Sequence, residues 1–124
     1  MSELSFVTTL VRAAVDRRLH ELTDRWRSRL PGEAGADLLG PAQQALSGGK
    51  RMRPVLAAVG MTLRTRAGRP EVMGGAASAR LGAALELYQA SALVHDDVID
   101  AAPTRRGLPA AHRSFSAAHR QRGW

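Results

Sequence analysis

A chain of 124 residues without cysteine excludes disulfides and thiolate metal sites, and its 44% hydrophobic and 4% aromatic content is that of a globular chain with few large rings. No apolar run approaches the roughly 18 residues of a membrane-spanning helix, and no secretory signal is visible, so a cytoplasmic protein without a transmembrane segment is expected. The net charge of +7 invites a nucleic-acid partner, but seventeen of the eighteen cations are arginines scattered among acids, as in Asp16-Arg17-Arg18. No helix-turn-helix, finger or aromatic stacking signature accompanies them, and no nucleic acid is expected.

From about Ser2 to Leu30, residues Val7, Val11, Val15, Leu19, Leu22, Trp26 and Leu30 recur every three or four positions. This predicts an amphipathic packing helix, ended by Pro31-Gly32. Residues 33–46 predict a weaker helix interrupted by Gly35, Gly40 and Pro41, and Ser47-Gly48-Gly49 is a loop. Lys50-Arg51-Met52-Arg53-Pro54 follows, its proline suited to the first turn of a helix from Val55 to about Thr65 with Val55, Leu56, Val59 and Leu63 on the apolar side. Lys50, Arg51 and Arg53 thus lie near a helix N-terminus, where dipole and free N–H groups favour anions; a solvated basic turn fits the same residues. A Walker A loop does not, because Lys50 is followed by Arg51 and lacks the upstream glycine.

Arg66 to Pro70 reads as a linker, and a long helical pattern runs from Glu71 or Val72 to about Ala101, loose through Gly74-Gly75 and tight from Leu81. Leu81, Leu85, Tyr88, Ala92 and Ile99 follow helical spacing, and many small residues let neighbouring helices come close. Pro103 is expected to end this helix, and Ala110 to about Arg120 to begin another. No segment alternates in the manner of a strand, so the expected class is all-α.

Asp96, Asp97 and Asp100 crowd the end of the long helix. On a helix Asp96 and Asp100 are i and i+4 on one face, with Asp97 one turn below Asp100. Like charges so placed destabilise a helix by roughly 0.2–0.5 kcal/mol per pair, which points to a cation. Oxygen ligands suit Mg²⁺, which takes one or two carboxylates and completes its shell with water and phosphates. Arg105 and Arg106, beyond Ala102-Pro103-Thr104, are placed to hold such phosphates.

With GGKRMRP at 48–54, LVHDDVID at 93–100 and TRRGLPAAH at 104–112 in this order, the chain from about residue 40 to its closing HRQRGW resembles the N-terminal part of a trans-isoprenyl diphosphate synthase of the polyprenyl synthetase family. The resemblance implies the N-terminal helices of the isoprenoid synthase bundle, incomplete. Residues 1–124 would be the N-terminal part of one domain, truncated after Trp124, since the family's second Asp-rich motif is not present. It implies a prenyltransferase that condenses an allylic diphosphate with isopentenyl diphosphate. Asp96 and Asp100 would be the main Mg²⁺ ligands with Asp97 contributing, and Arg105 would act on the allylic diphosphate; these four form the implied catalytic set. Lys50 and Arg53 would hold isopentenyl diphosphate, joined by Gln89 and Arg106. Gln89 stands where many members have His, about two turns before Asp96 and on its face.

Ser91 and Ala92, both small, and Tyr88 one turn deeper imply a pocket for a product longer than farnesyl diphosphate. A homodimer is expected of the full-length form, and uncovered apolar faces on the long helix of the isolated segment. Two functions follow: an enzyme portion inactive alone, or a non-catalytic partner subunit of a heteromeric prenyl diphosphate synthase.

Overall fold

The computed structural model describes residues 2–65 and 68–123. Arg66 and Ala67 of the expected linker, and Trp124 at the expected truncation, lie outside the described residues. The chain is all-α in class, with helices α1 (Glu3–Arg29), α2 (Gly32–Leu46), α3 (Met52–Thr62), α4 (Arg69–Met73), α5 (Ala76–Ile99) and α6 (Ala111–Gln121), and two short strands, β1 (Thr104–Arg105) and β2 (Leu108–Pro109). These pack as two units, Met1–Leu22 with Gly48–Tyr88 and Thr23–Ser47 with Gln89–Trp124.

In the first unit Val11, Ala14, Val15 and Leu19 of α1 are buried with Pro54, Val55 and Ala58 of α3, Met73 of α4, and Ala79 and Ala83 of α5. The face that α5 buries is its small one. A Cβ on Gly82 would stand 2.5 Å from Val15 Cγ2 and 3.1 Å from Pro54 Cβ, so the backbone approaches both as only glycine permits. The bulky residues at helical spacing are uncovered, as expected of the long helix in this segment: Leu81 is exposed and Tyr88 is 75% exposed. The apolar side expected of α3 is corrected, for Val55 is buried while Leu56, Val59 and Leu63 are exposed. Close approach through Ser78, Ala79, Gly82 and Ala83 selects the contact face and leaves the bulky residues outside.

Four boundaries also differ from expectation. Helix α3 begins at Met52 rather than Val55 and ends at Thr62 rather than about Thr65; Pro54 stands in its first turn, as expected, where no backbone N–H is required. Arg69 and Pro70 belong to α4, not to a linker, with proline again in the first turn. Gly74 and Gly75 then separate α4 from α5 instead of loosening one helix.

The second unit has a thin core of Leu39, Leu46 and Ala110, completed by Gly35, Thr23 and the carboxylate of Asp97. Helix α2 packs on α6, and Arg122 beyond α6 reaches Glu33 at 3.5 Å and Asp37 at 2.6 Å. Contrary to expectation α2 runs unbroken through Pro41, forfeiting the hydrogen bond that the missing N–H would make. Helix α5 ends at Ile99, well before Pro103. Ala101 takes φ +51, its N–H donates to the Val98 carbonyl at 3.2 Å, and the Ala102 N–H donates to the Asp97 carbonyl at 2.9 Å. That is a Schellman ending with alanine where glycine is usual.

The strands correct the expectation of none. Thr104 pairs with Pro109 and Arg105 with Leu108 in an antiparallel hairpin. Its two-residue turn, Arg106-Gly107, has φ of +52° and +77°, the signature of a type I′ turn whose twist suits a hairpin. Strands of two residues carry no alternation to detect.

Candidate functional site

In the second unit the end of α5 sorts its three carboxylates. Asp97 is only 4% exposed; its Oδ2 accepts from Arg105 Nε and its Oδ1 from Arg105 Nη2, both at 2.7 Å. The hydrogen-bonded Arg105 holds the Asp97 carboxyl below its ordinary range against the opposing effect of burial, and the charges of Arg105 and His112 add to this. The same bond raises the Arg105 guanidinium. Asp96 and Asp100 are exposed, and neither carboxylate accepts a hydrogen bond or ion pair from the described residues.

These acids stand at the wrong end of a helix. The carbonyl end of the dipole disfavours anions by about 0.3–1 kcal/mol each, and Asp96 and Asp100 also repel each other. Arg105 compensates Asp97 through hydrogen bonds and attracts Asp96 by charge alone; hydrogen-bonding partners for the two exposed carboxylates must come from outside. Among the described residues no three His, Cys, Asp or Glu side chains gather into a metal-sized cluster, because Asp97 faces Arg105. Two exposed hard-oxygen donors one turn apart do fit Mg²⁺, which needs only one or two carboxylates when phosphates complete its shell.

The hairpin that carries Arg105 is tied down at two further points. Arg106 Nη1 donates to the Ser47 carbonyl at 2.9 Å, and Gln44 Nε2 donates to the Pro109 carbonyl at 3.3 Å. Beneath it lies a cavity of about 70 Å³ lined in part by Gln44, Leu93, Val94, Asp97 and Arg105, large enough for a few waters. Gln89 is half-buried, while Ser91 and Ala92 are exposed. Gln44 and Ser47 escaped the sequence reasoning, since a side-chain amide and a loop carbonyl carry no pattern.

In the first unit Lys50 and Arg53 are exposed on either side of the start of α3, whose N-terminus has no side-chain cap. Free N–H groups and two cations form an anion-receptive surface. Arg51 between them is only 8% exposed and pairs with Asp16 and Glu86. Tyr88, the expected pocket residue, also belongs to this unit. The sequence offered one signal for the Arg51 pair: Glu86 is a lone acid within an otherwise apolar stretch of α5.

A family model described as polyprenyl synthetase matches residues 36–119. The chain is 38% identical over 110 residues to a prenyl transferase of Synechocystis, covering 87% of this chain and 32% of that protein. It is 35% identical over 114 residues to the chloroplastic solanesyl diphosphate synthase 1 of Arabidopsis thaliana, covering 90% of this chain and 27% of that protein. It is 36% identical over 104 residues to heptaprenyl diphosphate synthase component 2 of Geobacillus stearothermophilus, covering 84% and 28%. The chain therefore spans about a third of the length of the curated relatives it matches. No solved structure is a significant match.

Proposed function

Since the chain belongs to the polyprenyl synthetase family, we propose that it is the N-terminal part of a single prenyltransferase domain of isoprenoid biosynthesis, one that joins an allylic diphosphate to isopentenyl diphosphate. The sorting of DDVID carries this proposal: Asp96 and Asp100 stand exposed while Asp97 turns inward to fix an arginine. Asp96 and Asp100 hold Mg²⁺, which when bound supplies charge stabilisation to the departing diphosphate. Asp97 fixes Arg105 through Nε and Nη2, leaving Nη1 unengaged by that carboxylate and available to the allylic diphosphate. Lys50, Arg53, Gln89 and Arg106 serve isopentenyl diphosphate. The allylic C–O bond breaks with its electron pair on the diphosphate, the isopentenyl alkene attacks the allylic carbon, and a proton passes to the released diphosphate or to water, restoring an alkene. Positioned cations suffice for this, and no side-chain nucleophile is needed.

Small side chains at Ser91 and Ala92, with Tyr88 deeper, favour a product longer than farnesyl diphosphate; relatives named for solanesyl and heptaprenyl products support this. The full-length form is a cytoplasmic homodimer, and the segment alone does not turn over substrate. Among the described residues no helix is long and apolar enough to cross a membrane. A second reading, a non-catalytic subunit of a heteromeric synthase, draws support for its heteromeric half alone from the Geobacillus relative, which is named as one component of a heptaprenyl diphosphate synthase.

Calorimetric titration of the chain with geranyl diphosphate tests the proposal. Binding should require Mg²⁺ and disappear in Asp96→Asn and Asp100→Asn. Binding indifferent to Mg²⁺ and to both substitutions would overturn it. Turnover by a complex with a longer synthase chain that survives Asp96→Asn would favour the non-catalytic subunit instead.

A further inference from the structure

The loop that leads into α3 and the first turn of that helix together contain three cations, and only the middle one is withdrawn from solvent. Lys50 and Arg53 are exposed, whereas Arg51 is 8% exposed. Its Nε and Nη2 each lie 3.0 Å from Asp16 Oδ1, and its Nη1 meets Glu86 Oε2. Asp16 belongs to α1 and Glu86, whose side chain is 12% exposed, to α5. The guanidinium fork is thereby shared between acids from two helices, and the trio carries more negative charge than positive. Attraction for an anion has to come from Lys50, Arg53 and the uncapped helix start.

The backbone at Arg51 is equally specific. It takes φ +53 as the residue that opens α3, separated only by Lys50 from Gly48 and Gly49 at +71 and +86. Glycine adopts this left-handed conformation freely and a long side chain does so rarely. A residue needed only to turn the chain here would be glycine, and one needed only for its charge would not be enclosed by two carboxylates. A strained conformation persists when its surroundings over-determine it, and such residues cluster at functional sites.

We propose that Arg51 is a positioning residue. Pinned to Asp16 and Glu86, it holds the GGKR loop in the left-handed turn that starts α3. Lys50 and Arg53 are thereby kept on either side of the open N–H groups at a fixed spacing. A buried ion pair is a poor source of stability but an effective means of fixing one conformation among several. Asp16 thus gains a role in a binding loop far from it in sequence. This assignment rests on the diphosphate function proposed above for Lys50 and Arg53.

Two measurements on the whole chain test it: calorimetric binding of inorganic pyrophosphate, and amide hydrogen exchange across residues 48–53. Asp16→Asn and Glu86→Gln each remove a negative charge beside the loop, so on charge alone both should tighten pyrophosphate binding. A positioning role demands the reverse, a weakening of about tenfold with faster exchange confined to the loop. Arg51→Lys, which keeps the charge and loses the fork, should behave like Glu86→Gln. Tighter pyrophosphate binding in Glu86→Gln would show that Arg51 is an anion ligand held in reserve, and would overturn the assignment. Unchanged loop exchange in Asp16→Asn and Glu86→Gln would overturn it as well. Should Glu86→Gln fail to fold, the half-buried Asp16→Asn and the Arg51→Lys variant decide the matter. If Lys50→Ala leaves pyrophosphate binding intact, the diphosphate function fails at this loop, while the exchange data still judge the pin.

Discussion

Arg51 and Asp97 occupy matching situations in the two units of the chain. Each is the buried member of a run of like charges, Lys50-Arg51-Arg53 in one and Asp96-Asp97-Asp100 in the other, and each is enclosed by charges of opposite sign. The first unit buries a cation between two carboxylates; the second buries an anion against one guanidinium that is itself 34% exposed. In both, burial of one member leaves its like-charged neighbours in solvent. Charges that hold a loop and charges that meet a ligand are thus adjacent in sequence and opposite in environment. The surroundings differ too: Arg51 sits in a unit with buried side chains from four helices, whereas Asp97 belongs to one whose apolar core is little more than Leu39, Leu46 and Ala110.

If the first unit depends on its pin, Arg51→Met should produce the largest loss of any substitution considered. It leaves Glu86 buried and without its guanidinium, a change worth about 3 kcal/mol, and a chain this small has little stability in reserve. Urea denaturation followed by circular dichroism should show a midpoint far below that of the parent or no folded baseline. The close approach beside it comes next. Gly82→Ala puts a methyl group 2.5 Å from Val15 Cγ2, and overpacking of this kind costs about 1–3 kcal/mol. An unchanged urea midpoint would mean that α1, α3 and α5 are packed less closely than described.

The second unit should respond locally. Arg105→Gln removes both charge-assisted bonds from Asp97 and lets its carboxyl rise toward the usual range. It should release the 104–109 hairpin with less loss of global stability than Arg51→Met. Amide exchange would show this as lost protection at residues 104–109 with α2 and α6 still protected. Loss of α2 and α6 protection in parallel would mean that the second unit melts as a whole, and the proposed division between a tightly and a loosely held unit would fall.

The difference between the units also explains what could be read from the chain in advance. Helix α1 is legible because its stripe of Val11, Val15 and Leu19 is the stripe it buries. Helices α3 and α5 show equally clear stripes that face outward, since periodicity reports a bulky face without saying that this face is covered. Burial on α5 is decided by Ser78, Ala79, Gly82 and Ala83, residues whose value lies in how little space they take. The charged motifs were legible as chemistry, yet not in their division of labour. Nothing in Asp-Asp or Lys-Arg says which member turns inward, because the deciding groups, Arg105, Asp16 and Glu86, are 8 to 35 positions away in sequence. The helix end, expected at about Ala101 and found at Ile99, is made by Ala101 performing a glycine's task, which no residue-type signal marks.

The smallest effect bears most directly on the exposed pair. In the metal-free chain two effects disfavour Asp96, repulsion from Asp100 worth roughly 0.2–0.5 kcal/mol and the carbonyl end of the α5 dipole, and only the solvent-screened charge of Arg105 opposes them. Asp96→Asn removes both contributions while keeping size and hydrogen-bonding capacity, so it should raise the urea midpoint slightly in EDTA. With Mg²⁺ and pyrophosphate the order should invert. The parent gains stability from a ligand that binds only the folded chain, by an amount that grows with ligand concentration over its dissociation constant, and the variant does not. Stabilisation in both conditions would make Asp96 merely a misplaced surface charge. Destabilisation in EDTA would place it, like Asp97, among the residues that hold the fold. Only the inversion fits a carboxylate kept at a helix end for a cation it shares with phosphate.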